Sequence, residues 1–146
     1  MAKGRAVEPG SITRVGELTD AWPPKLAEAV GYAVIAGAQL ERAIYLAAKR
    51  REGMSLINWT KQEGDQRFER FRERLSRTEP NLATLLAEAE AAWDERNDIV
   101  HATWTTLGNN LARLREERDL GVDPEPILQT TERLRRLRDA ILEATG

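Results

Sequence analysis

At 146 residues the chain has the length of one domain built on one core, too short for two. A composition of 41% hydrophobic, 32% charged and 5% aromatic residues fits a helical protein, and a net charge of −2 excludes a uniformly cationic surface for gripping duplex DNA, so any nucleic-acid contact falls to local arginine clusters. Cysteine is absent, which excludes disulfides, thiolate metal sites and a cysteine nucleophile and points to a reducing, cytoplasmic setting.

Residues 1–21 are polar, carry Gly4, Pro9, Gly10 and Gly16, and hold no sustained period; they read as a flexible arm ahead of a helical domain over 22–146. No apolar run of signal-peptide length follows the N-terminus, and the longest apolar segment, 30–38, is interrupted by glycine and too short for a bilayer, so no membrane partner is expected. Trp22-Pro23-Pro24 halts preceding structure, and Pro24 suits a first helical turn. From there Leu26, Val30, Ala33, Gly37, Leu40, Ile44 and Ala48 recur on one face, predicting a long helix that ends near 51–53 with Lys49, Arg50 and Arg51 at its negative end. Glu41 lies within that apolar stripe, where an unpaired carboxylate is costly. Two readings stand: an edge glutamate reaching water or an arginine, or a carboxylate that pairs with Arg96 or orients His101 and so sets the first helix beside theirs.

Residues 54–64 read as a connection with a short helical turn near 55–61. A helix over about 65–77 follows, with Phe68, Phe71 and Leu75 as its apolar stripe and Arg67, Arg70, Arg72, Arg74 and Arg77 around the rest. Such a run is usually a solvated face, with Glu69 and Glu73 spaced to pair with it; contact with an RNA backbone is the alternative. Thr78-Glu79-Pro80 opens a third helix whose stripe is Leu82, Leu86, Ala89, Trp93, Val100 and Trp104. Arg96, Asn97 and His101 fall at the margin of that stripe, where side chains can be held and still reach a ligand. Beyond His101, the threonines at 103, 105 and 106 and the turn sequence Gly108-Asn109-Asn110 suggest a short hairpin of strands at 103–107 and 111–115, with a helix over 111–120 as the competing reading. Gly121, Pro124 and Pro126 make a loop, and a last helix over about 130–144 turns Leu134, Leu137 and Ile141 inward. The fold class is all-α: an up-and-down bundle of about four main helices.

His101 is the only histidine, the one side chain that can take and give a proton near neutrality. Asn97 lies one turn before it on the same face, while Arg96, five residues back, is rotated by roughly 140° within ~7.5 Å along the axis. A guanidinium has the length to swing back, so the three heads can converge on one anion, with Asp98 in support. This Arg-Asn-x3-His block on a long helix, bracketed by Trp93 and Trp104 and preceded by a helix bearing Leu40-Glu41, resembles the signature of the HEPN superfamily, over most of the chain after Trp22. The resemblance implies a metal-independent endoribonuclease, a toxin or antiviral RNase acting as a homodimer with a composite site. RNA would be the substrate and an antitoxin or inhibitor protein a further partner. Arg96, His101 and Asn97 would carry the chemistry, with Glu41, Asp98 and Thr103 in support. Thr103 stands where toxins paired with a nucleotidyltransferase antitoxin often carry tyrosine, which removes the basis for naming that partner. A non-catalytic HEPN-like module binding a nucleotide or protein is the alternative. No Gly-rich phosphate loop, nucleophile elbow or dinucleotide fingerprint occurs, so no cofactor is expected. One histidine without cysteine cannot supply the paired Glu-x-x-His motifs of di-iron bundles; Asp94, Asp98 and His101 share a face that could make at most a weak metal site.

Overall fold

A computed structural model describes residues 24–109 and 124–146. Among them are five helices and no strand: α1 (Pro24–Glu52), α2 (Leu56–Thr60), α3 (Gly64–Leu75), α4 (Pro80–Asn109) and α5 (Glu125–Thr145). The arm at 1–21 lies outside the described residues, as do the second strand at 111–115 and the competing helix at 111–120.

In α1 the residues on the predicted stripe are buried apart from Val30, and Ala29, Ala36, Ala43 and Ala47 add a second buried face, because α1 lies against both α4 and α5. Alanine at these positions lets helix axes approach closely, and it is also the best helix former. The helix stops at Gly53, whose φ of 67° supplies the left-handed residue that a C-terminal cap needs; its N–H donates to Lys49 O at 2.9 Å. After α1, Ser55 caps α2 by accepting from the Asn58 amide at 3.1 Å, and this single turn drives Trp59 into the core against Tyr45 and Phe68, with centroids 5.9 and 6.0 Å away.

Helix directions follow from side-chain pairs. Along α1 and α5, Tyr32 lies under Arg135, Gln39 accepts from Arg138 at 2.5 Å, and the Thr145 carbonyl accepts from Arg50 at 3.2 Å, so these helices run the same way. Helix α3 is also parallel to α1, through Glu41–Arg67 and Glu52–Arg74. Against them, α4 runs in reverse: Glu79, just before its start, meets Arg51 near the end of α1, and Arg96 meets Gly37 in its middle. Strict up-and-down alternation is therefore corrected, since residues 53–63 carry the chain back along α1 before α3 begins. One core joins all five elements, with Leu40, Ile44, Trp59, Phe68, Phe71, Leu86, Leu134 and Ile141 among its buried members.

Two expectations fail locally. Residues 103–107 are the continuation of α4 and not a strand. Threonine's extended preference is weak and context-dependent, whereas a helix already more than twenty residues long adds a hydrogen bond per residue at no further nucleation cost. The last helix begins at Glu125 and not near 130, because Pro126 falls in the first turn, where its missing N–H has no partner to lose. No helix among the described residues is long and apolar enough to cross a membrane.

Candidate functional site

The Arg-Asn-x3-His block occupies α4 where the helix passes the middle of α1 and the start of α3. Arg96 is half-buried. Its aliphatic stem and Nε lie on Gly37 of α1 so closely that a Cβ built there would overlap Nε and stand 3.1 Å from Cδ and 3.2 Å from Cγ. The guanidinium then turns along α4 over the Trp93 ring, 5.7 Å from its centroid, and Nη1 donates to Asn97 Oδ1 at 2.6 Å. The guanidinium is thus engaged by Asn97 and Trp93 on its own helix. Half-buried Asn97 is followed, one turn on, by His101, which is exposed. Burial lowers the Arg96 pKa from its usual value, yet an arginine keeps its charge at neutral pH.

Beneath the block, Trp93 meets Phe68 edge to face at 5.1 Å and an 85° interplanar angle, and a Cβ on Gly64 would stand 3.1 Å from its Cη2. Across Phe68 lies a second guanidinium. Arg67, its side chain 12% exposed, pairs with Glu41 and sits 5.4 Å from the Trp59 ring and 5.7 Å from the Phe68 ring. Burial lowers its pKa too. The Glu41 carboxylate therefore belongs to Arg67, and the reading of an edge glutamate that reaches an arginine holds. Gly37 and Glu41 are one turn apart on α1, so the two cations lie roughly 6 Å apart along that axis. Arg67 Nε, Arg96 Nε and Trp93 Nε1 are all buried without an acceptor among the described residues, which leaves this corner with a surplus of N–H donors.

Other site candidates lie apart. Asp98 is exposed on α4, and Asp94, beside it, has its carboxyl pKa raised by burial first and then by Asp65 and Asp98. Among the described residues no three His, Asp or Glu side chains group so as to hold a metal ion, so the shared face of Asp94, Asp98 and His101 does not close into one. Thr103 has a helical backbone, and its side chain lies outside the described residues. The arginines of α3 and α5 are largely engaged: Arg72 with Glu90, Arg74 with Glu52, and Arg133 with Glu95, whose other oxygen accepts from Thr130 at 2.6 Å.

Two residues escaped the sequence reading. Gly37 was visible as a stripe residue but not as the seat of Arg96; a glycine inside an alanine-rich helix costs about 1 kcal/mol, yet Gly31 of the same helix faces open space, so the residue type alone did not mark the close approach. Arg67 was submerged in an arginine run, and nothing local set it apart, since Arg70 and Arg72 also flank a phenylalanine. No family model, no curated protein and no solved structure matches the chain.

Proposed function

We propose that the chain is a metal-independent endoribonuclease of HEPN type, a toxin or antiviral defence RNase that works as a homodimer with a composite site. The observation that carries this reading is the fixed pose of Arg96, wedged on Gly37 and bonded to Asn97, with exposed His101 one turn beyond on the same helix. RNA supplies its own nucleophile. His101 takes the proton of a ribose 2′-hydroxyl, the 2′-oxygen attacks the adjacent phosphorus, and the bond from phosphorus to the 5′-oxygen breaks. The partner protomer's imidazolium returns a proton to that leaving oxygen, which gives a 2′,3′-cyclic phosphate and a 5′-hydroxyl. Arg96 neutralises the phosphorane oxygens through donors that the Asn97 bond leaves free, and DNA, lacking the 2′-hydroxyl, is not cut.

The test is cleavage of labelled RNA in excess chelator. Loss of at least a hundredfold in His101→Ala and Arg96→Ala, with cyclic phosphate ends in the wild-type products, supports the proposal. Dependence on added metal, or cleavage that survives both substitutions, overturns it. RNA binding by a wild type that never cuts would transfer the site to the non-catalytic, HEPN-like nucleotide-binding reading.

A further inference from the structure

Between Glu28 and Glu41 of α1, twelve successive residues carry no charge in a chain that is 32% charged. Half of them are exposed, among them Gly31, Val34, Ile35 and Ala38, with Ile35 at 56%. Together with exposed Ala27 these four make an uncharged strip about 16 Å long on one flank of the helix. A Cβ built on Gly31 meets nothing within 4 Å. The other helices leave this flank bare. Helix α5 lies on the side of Tyr32 and Gln39, α4 on the side of Gly37, and α3 meets α1 through Glu41 and Glu52, beyond the strip. Val34 is seven residues before Glu41 and so within about 20° of it round the helix, which makes the strip an extension of the flank that α3 covers farther along.

We propose that residues 12–22 of the same chain fold back and cover this strip. Ile12, Val15, Leu18 and Trp22 stand three, three and four apart, a run too short to make a sustained period. On a helix they nevertheless share an arc of about 120°, with Arg14, Glu17 and Asp20 outside it and Ser11 ahead of them as a cap. Read backward from Trp22, the intervals are four, three and three; read forward from Ala27, those of Ala27, Gly31, Val34 and Ala38 are four, three and four. A segment that turns at Trp22-Pro23-Pro24 and runs antiparallel to α1 therefore sets Trp22 at Ala27, Leu18 at Gly31, Val15 at Val34 and Ile35, and Ile12 at Ala38. Large side chains meet small ones at three of these four levels. The reach also matches, since residues 12–22 span about 15 Å as a helix, and the connection is as short as those that join antiparallel helices. Eleven residues with Gly16 among them do not hold a helix alone in water, so the segment takes this form only on the strip. Gly37, which seats Arg96, is about 120° round α1 from Gly31, so the covered strip and the Arg-Asn-x3-His block occupy different sides. The composite site of the ribonuclease reading is left open, and the covering of the strip does not depend on that reading.

Hydrogen exchange of the full chain reads the contact. The wild-type amides of residues 15–21 are expected to exchange at least tenfold more slowly than in a synthetic peptide of residues 1–23. Ile35→Asp and Leu18→Asp should each remove that protection while the amides of α5 keep theirs. Because the chain lacks cysteine, paired substitutions report the register. Under mild oxidation, Leu18→Cys with Gly31→Cys should form a disulfide within one chain at least tenfold faster than Leu18→Cys with Lys25→Cys, since exposed Lys25 lies on another face of α1. Wild-type amides that exchange at the peptide's rate, protection that survives Ile35→Asp, or equal rates for the two cysteine pairs overturn the proposal. So do disulfides that join two chains, which would assign the strip to a second copy. RNA cleavage by the wild type decides the ribonuclease reading alone, whatever the exchange shows.

Discussion

Gly37 has no side chain, and that is its contribution to the site. Gly37→Ala gains about 1 kcal/mol of helix propensity and meets the stem of a side chain that can move aside, so global stability should stay within about 1 kcal/mol of wild type. Arg96, however, must leave its groove, and RNA cleavage is expected to fall at least tenfold; urea denaturation and cleavage rates measured on the same preparation separate the two effects. Asp94 offers a second residue-level test. Its pKa is raised, by burial and then by Asp65 and Asp98, so the folded state holds its proton more tightly than the unfolded chain and ionisation costs stability. That penalty is absent below the unfolded value of about 3.9 and complete once pH exceeds the raised folded value. Asp94→Asn should therefore raise Tm at pH 7 and lose the advantage below about pH 4, as thermal melts across that range would show.

At the scale of elements, α2 and α3 are fastened to one another through Trp59 and Phe68, and α3 to α1 through the partly buried Glu41–Arg67 pair. Phe71 and Trp59 are fully enclosed, and Phe71→Ala should cost about 3–5 kcal/mol by denaturant titration. Glu41→Ala leaves Arg67 charged and unpaired between two rings; since Glu41 is 29% exposed, the expected loss is on the order of 2 kcal/mol, below the range for a fully buried pair. What the sequence disclosed at this scale was whatever has a local cause. The stripes of α1, α3, α4 and α5 recur every three or four residues, and Ser55 marks the short α2. The meeting of Glu41 with Arg67 was hidden because it depends on residues 53–63 returning the chain along α1. At 103–107 the threonines spoke for a strand while the preceding helix, already formed, carried through them. The Arg96–Asn97 bond joins neighbours in sequence, yet it is made only because Gly37 of another helix fixes the stem, so spacing suggested convergence without revealing its cause.

Three of the four long helices run in one direction and only α4 returns, packing against all three, while α1 and α5 also pack directly on one another. The candidate block sits on that shared helix where it crosses α1. A change at the crossing is consequently felt by the site, while substitutions on the outer side of α5, such as Arg136→Ala, should leave cleavage unaltered and change stability by no more than about 0.5 kcal/mol. Arg50 and Arg51 of α1 donate to the carbonyls of Thr145 and Ala144 at 3.2 Å, closing the far end of α5 with side chains from 93 and 95 residues earlier. During synthesis, then, the first long helix waits with Arg50 unengaged, Arg51 held only by Glu79, and an open apolar groove until Leu134, Leu137 and Ile141 have cleared the ribosome. A nascent chain of this protein gains its cooperative stability late and all at once, and stalled intermediates lacking α5 should be protease-sensitive along their whole described length.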